Sequence, residues 1–370
     1  MATVNVKLRD ESIAHAIWLS RYSTGVAKRM VKILNESDAE LVARLIVAMD
    51  GLDASSFTVT RLEALLSSVR TVNRQAIESM RDSLADELLL LAQHESGYQL
   101  SLFQHLIPEV VLSYHPLIGI SADAVYAAAM SQPFQGRLLS EWASNLEADR
   151  INRITNTVRQ GLLLGDTTEQ IARKVRGHAN RGYEDGALQL SRSNAASITK
   201  TAVGHMAATA RTSFAKTNDD IIKGKQWLST LDTRTTHLCI VRDRLKYTLD
   251  GKPIGHKVPY LQGPGRIHFS CRSTETFILK SAEELGMGIR DMPNSTRASM
   301  DGQVAGDTNY SEWLQRQSFE RQKAIVGEKR AILMRDGGVS PDEFYTDKGE
   351  WLTLDQLRQR DAEAFKEAGI

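Results

Sequence analysis

The chain has 370 residues, 42% of them hydrophobic and 25% charged, with 46 basic against 45 acidic side chains and a formal net charge of +1. That is an ordinary globular composition, long enough for two or three domains. Two cysteines cannot build a disulfide framework, no run approaches the roughly 18 apolar residues that span a bilayer, and the opening MATVNVKLRDES lacks the regions of a secretory signal. A soluble protein made in the cytoplasm, without a membrane partner, is expected, and the balanced charge still leaves room for a local basic face.

Residues 10–35 carry Ile13, Ile17, Val26, Met30 and Ile33 at near-helical spacing behind Asp10 or Ser12 as a cap. Residues 37–49 read as a second helix capped by Ser37 or Asp38, stopped by Gly51-Leu52-Asp53. From 60 to about 105, Leu62, Leu66, Val69, Ala76, Met80, Leu84, Leu88 and Leu91 step by three or four, which predicts one long core-facing helix or hairpin. Short helices follow at 122–130 and, after a loop at 133–136, a longer one at 140–164 that Gly165 ends in the left-handed conformation. Thr167 to Gln170 has the capping-box pattern that restarts a helix. Residues 188–216 predict another long helix, with Leu190, Ile198, Ala202, Met206, Ala210 and Phe214 on one face and small residues suited to close packing.

The pattern changes after Gly224. Residues 226–231 and 273–279 read as strands, and Asp250-Gly251 as a hairpin turn. Gly286 to Gly306 is polar and reads as a surface excursion. Residues from Tyr310 predict a helix with Trp313, Phe319, Ile325 and Leu333 near one face, stopped by Gly337-Gly338, and residues 353–368 a terminal helix. The expected fold is α+β: predominantly helical N-terminal and middle regions (1–132 and 133–224) and a small mixed α+β C-terminal module (225–370).

The stretch 227–274 holds both cysteines, Cys239 and Cys271, and three of the nine histidines, His237, His256 and His268, around a long irregular loop. Such a loop inside a compact domain needs a pin. His237-Leu-Cys239 and His268-Phe-Ser-Cys271 supply a Cys2His2 set suited to zinc, with His256 as a substitute for His237. Reduced thiols and a Cys239–Cys271 disulfide are the other readings. Asp232, Arg234, His237, His268 and Arg272 can also be read as an acid/base and phosphate-binding set, against the plainer reading of a turn-capping Asp232 and ion-paired arginines. Arg150, Arg153, Arg159, Arg173, Lys174, Arg176 and Arg181 cluster around Gly165 and can face DNA phosphates, although acidic neighbours make a solvated helix face the better reading. No P-loop, Rossmann, HExxH, GxSxG or kinase pattern is present.

In order, Trp227-x4-Asp232-x-Arg234-Thr235-x3-Cys239, Asp250-Gly251, Pro264 and His268-x-x-Cys271-Arg272 resemble the phage head morphogenesis family, the minor head proteins typified by the F protein of phage Mu. Gly161-Leu-Leu-Leu-Gly165 with Glu169-Gln-Ile171-Ala resembles that family's hinge between helices. Tyr310-Ser-Glu-Trp313, Val326-Gly327 and Leu354-x-x-Leu357 resemble its downstream portion. The resemblance covers the chain from about Pro133 onward. It departs at position 273, a serine where members often carry another cysteine, so that His268 or His237 would serve as the replacing ligand.

The resemblance implies a tailed-phage virion protein at the portal vertex that assists procapsid assembly, DNA packaging or DNA delivery. Its partners would be the portal protein and other head or scaffold proteins. It would occupy the host cytoplasm during assembly and then the virion head. No enzymatic activity is expected. The alternatives are a nuclease or transferase using Asp232, Arg234, His268 and Arg272, or a DNA-binding ejection protein using the arginine cluster.

Overall fold

Two helices of 49 and 48 residues, α1 (Ala2–Asp50) and α2 (Val59–Leu106), dominate the first third of the chain. The computed structural model describes residues 2–50, 59–286, 296–300, 302–305 and 308–370. It is 65% helical with a small antiparallel sheet, the mostly helical α+β fold expected.

The expected break between residues 35 and 37 does not occur. Asp38 is fully buried inside α1, its carboxylate held by Arg150 and Arg192, so it caps nothing. Ser12 does not cap either: its hydroxyl donates back to the Leu8 carbonyl at 2.6 Å, the ordinary mid-helix use of a serine. The apolar line of α1 runs through Val26, Met30, Leu34, Leu41 and Leu45, while Ile17 is 45% exposed. The stop expected at Gly51-Leu52-Asp53 lies outside the described residues. On α2 the stripe from Leu66 to Leu91 is buried as its spacing requires.

The chain packs as two compact units that interleave in sequence. One unit comprises Ser20–Gln93 and Tyr126–Met206. Its core joins Leu41, Leu45, Leu66 and Val69 to Ile154 and Val158 of α5 (Leu139–Leu164) and to Ile171 and Val175 of α6 (Thr168–Arg176). Gly165 ends α5 at φ 70°, and Thr167 and Gln170 exchange backbone N–H bonds as a capping box. Gly186 packs so closely under residue 176 that an added Cβ would lie 2.2 Å from the Arg176 carbonyl carbon.

The other unit comprises Met1–Leu19, His94–Val125 and Ala207–Ile370. Two short helices lie along the early chain, α3 (Glu109–Tyr114) in this unit and α4 (Ala122–Ser131) at the border of its second segment. The helix α7 (Gln189–Thr217) is buried on every side between residues 201 and 211, not along one face, and its alanines permit this; Leu190 is half exposed.

Four antiparallel strands follow in the order β3-β2-β1-β4: β1 (Ile222–Leu228), β2 (Lys246–Tyr247), β3 (Pro253–Ile254) and β4 (Thr274–Leu279). β1 pairs with β4 from Ile222↔Leu279 to Leu228↔Thr274, with one bulge near its start. The Asp250-Gly251 turn joins β2 to β3, with Gly251 at φ 83°. Phe103, Phe214, Ile221 and Phe277 form the core on this side.

In the region read as a surface excursion, β5 (Thr296–Ser299) and β6 (Gly302–Ala305) pair as a hairpin; residues 287–295, 301, 306 and 307 lie outside the described residues. The expected helix from Tyr310 is three helices: α9 (Tyr310–Gln315), α10 (Phe319–Val326) and α11 (Glu328–Asp336). Ser318 caps α10 and Gly327 at φ 82° separates the last two, so each turn of chain brings another apolar side chain onto Trp313 and Phe344. The terminal helix likewise divides at Asp361, which caps α13 (Ala362–Glu367) after α12 (Leu354–Arg360).

Candidate metal centre

Four sets of side-chain hydrogen bonds brace the Cys/His stretch. Trp227 on β1 is fully buried, its indole N–H donating to the Ser229 hydroxyl at 3.1 Å, and Ser229 in turn donates to the Cys239 carbonyl at 2.7 Å. Asp243 accepts from the Ser229 and Tyr310 backbone N–H groups at 2.7 and 2.9 Å, tying the strand end to α9. Asp232 grips Arg272 with both carboxylate oxygens and also accepts from the Arg234 backbone and the Thr235 hydroxyl. The Thr230 hydroxyl donates to the Arg272 carbonyl at 3.1 Å. Residues 227–243 and 268–276 are thereby stitched edge to edge.

At this seam Cys239, from the one-turn helix α8 (His237–Ile240), meets His268 and Cys271 from the loop before β4. Cys239 Sγ lies 3.3 Å from His268 Nε2 and 3.7 Å from Cys271 Sγ, and all three donor atoms fall within 4.8 Å of one another. The sulfurs are not bonded: both cysteines are free, so the disulfide reading fails. Cys239 is 1% exposed, and His268 and Cys271 are half-buried. Among the described residues this is the group of His, Cys, Asp or Glu side chains with metal-ligand spacing.

His268 Nδ1 lies 2.9 Å from the Phe269 carbonyl oxygen. A carbonyl only accepts, so Nδ1 carries a proton and Nε2 is the atom turned to the thiols. This is the outer bond that orients a ligating histidine. The Cys239 thiol and His268 hold Cys271 well below the usual thiol range in spite of burial. The hydrogen bond to Cys271 and burial push Cys239 the other way. The pairing favours the thiolate at Cys271 over Cys239. The Ser273 and Thr236 hydroxyls act to lower the Cys239 pKa and the Ser273 backbone N–H to lower that of Cys271. The thiolate is the form that binds metal, and it is Cys271 that the surroundings favour as thiolate. The Cys-His-Cys cluster could hold a metal ion.

His237, expected as a fourth ligand, is elsewhere. Its ring stacks on Trp351 at 3.8 Å and Nδ1 faces the Tyr345 hydroxyl at 3.3 Å. Burial, with Arg330 nearby, lowers its pKa. The H-x-C spacing is the reason: on one turn of helix, residues two apart point in different directions. His256 is also absent from the cluster, its Nε2 2.8 Å from the Lys246 carbonyl oxygen.

The candidate acid/base set is divided in the same way. Asp232 and Arg272 are consumed by each other, His268 faces the thiols, and the Arg234 residue is exposed. Burial opposes ionisation of Asp232, but Arg272 outweighs it and holds the carboxyl below its usual range.

Of the arginine cluster of the other unit, Arg150 is not at the surface. Arg150 is fully buried, bonded to Asp38 at 2.5 Å and Asn73 at 2.8 Å, so it cannot meet DNA as a free cation. Arg153 is paired with Asp149, Lys174 with Asp166 and Arg181 with Asp185, while Arg176 lies over the Tyr183 ring at 4.5 Å.

Sequence reasoning missed Asp243 and Ser229, which sit in no spaced motif. It also missed the trio of Lys225, Glu275 and Tyr260. Tyr260 donates to Glu275 at 2.5 Å and Lys225 Nζ sits 3.9 Å above its ring. Only the facing register of β1 and β4 brings the lysine and the glutamate together. No protein-family model, no curated protein and no solved structure matches this chain. Among the described residues no helix is long and apolar enough to cross a membrane.

Proposed function

We propose that this chain is a minor head protein of a tailed phage, a structural and assembly component at the portal vertex, whose C-terminal module is fastened by one zinc ion. The observation that carries the reading is where the motif residues go. Trp227, Asp232, Cys239, His268, Cys271 and Arg272, spread over 46 positions of sequence, serve a single fastening of strands and loop. That is the use a packing and docking module makes of such residues. The ordered motif of the minor head family supplies the assignment to the portal vertex. Procapsid assembly, DNA packaging or delivery are the steps such a component serves, in the host cytoplasm and then in the virion head.

Zinc is the metal that suits the donors. Two thiolates and an imidazole are borderline-soft ligands, and a tetrahedral zinc with Zn–S near 2.3 Å and Zn–N near 2.0–2.1 Å spaces its sulfurs about 3.8 Å apart and sulfur from nitrogen about 3.6 Å. The distances of 3.7 and 3.3 Å in the chain are close to those edges. The test is co-expression with the portal protein encoded beside it, followed by sizing and metal analysis. Co-elution with portal protein and one zinc per chain is the expected result. A folded, metal-free protein that ignores the portal protein overturns the reading and moves weight to nuclease and NAD-cleavage assays.

A further inference from the structure

The cluster offers three metal-ligating groups, and a tetrahedral ion takes four. Among the described residues no further His, Cys, Asp or Glu joins it. The other side chains that act on the Cys239 thiol are hydroxyls, Ser273 and Thr236, poor zinc ligands at neutral pH. The three donors are also not sealed on all sides. Cys239 forms the buried floor, whereas His268 and Cys271 are half-buried and the loop between them is open, with Phe269 40% exposed and Ser270 held at φ 54°. Metal sites that serve only as staples are closed by four protein ligands, and sites with three keep a position for a donor from outside.

We propose that the metal centre takes three ligands from this chain, Cys239, His268 and Cys271, and keeps its fourth coordination position for an exchangeable donor from outside it. In the isolated protein that donor is a solvent molecule, and a small imidazole displaces it. This rests on the zinc reading above. Ser273 is buried, lies two residues after Cys271 and acts on the Cys239 thiol, so it is the position at which a thiol is tried as a fourth ligand.

The test uses the full chain, with zinc content measured first and cobalt(II) then exchanged into the site as a visible probe. In the wild type, cobalt should give the absorption of a tetrahedral thiolate site, and added imidazole should shift its d–d bands saturably. Ser273→Cys should bind the metal more than about tenfold more tightly, the least that even an outer-shell partner is worth, and its bands should ignore imidazole. A chain that takes up neither zinc nor cobalt overturns the zinc reading and this inference with it. A wild-type cobalt spectrum that is tetrahedral yet unmoved by imidazole leaves zinc standing and overturns the open position alone. Should Ser273→Cys not fold, the wild-type titration decides by itself.

Discussion

The carboxylate of Asp232 and the guanidinium of Arg272 meet fork to fork, Oδ1 accepting from Nη2 at 2.9 Å and Oδ2 from Nη1, with only 15% and 26% of the two side chains exposed. Forty positions apart in sequence, they close the seam on which the Cys/His cluster sits. Replacing Arg272 by lysine keeps the charge and loses the paired geometry. Arg272→Lys and Arg272→Ala should each destabilise the module, by about 1–3 kcal/mol for the alanine variant, which leaves a partly buried carboxylate unpaired. Urea unfolding of both variants checks this. An alanine variant as stable as wild type would mean that the fork contributes nothing to the seam.

The sequence made part of this seam legible. Period and punctuation located α2, α5, α6 and β4, whereas the strand expected at 226–231 is β1 at Ile222–Leu228, buried on both faces and so without the alternation that would fix its ends. Asp38 and His237 were misjudged for one shared reason. A polar residue with strong local chemistry, a capping aspartate or a histidine beside a cysteine, invites a local role, and here distant partners claim both: Arg150 and Arg192 for Asp38, Trp351 and Tyr345 for His237. Nothing in local spacing announces partners more than 100 positions away.

Asp38 gives the largest stability prediction. It receives Arg150 at 2.5 Å and Arg192 at 3.4 Å, both carboxylate oxygens being engaged, in a site with almost no exposure. Asp38→Ala strands two guanidinium groups in the core of their unit and should cost about 3–5 kcal/mol. Arg150→Met, which removes a charge and keeps the volume, leaves Asp38 with Arg192 and should cost less. Thermal unfolding of both variants orders them. The reverse order would show that Arg150, with its second bond to Asn73, and not Asp38 is the member the network depends on.

Metal removal gives the third. A site formed only in the folded chain converts metal affinity into folding stability. Chelator should therefore lower the melting temperature of the wild type, by roughly 2–4 °C for each kcal/mol lost in a domain of this size. Cys271→Ala should melt at the chelated value with or without chelator, and His237→Ala should keep the full chelator response because its ring lies against Trp351 instead of the thiols. A Cys271→Ala variant that matches untreated wild type under both conditions would remove the pin altogether.

The pH dependence comes from Glu87, which accepts from Arg29 Nε at 2.6 Å and from the Tyr22 hydroxyl at 3.0 Å. The Arg29 hydrogen bond, against the cost of burial and with help from Tyr22, holds the Glu87 carboxyl below its ordinary 4.5. With a lower pKa folded than unfolded, the unfolded chain binds more protons in that window, so stability rises with pH there. The contribution is complete above pH 4.5 and is lost as pH falls through the folded value. Tyr22 works on the other side. Burial first, then the hydrogen bond to Glu87, pushes its hydroxyl up from 10.0 to about 12, so its contribution is complete below pH 10.0 and fades as pH rises through about 12. Glu87→Gln should flatten the acid limb of the wild-type stability profile and Tyr22→Phe the alkaline limb, each measured by urea unfolding across pH. Because Arg29 is half exposed, high salt should shrink the acid effect. An acid limb unchanged in Glu87→Gln would assign that dependence to other carboxylates.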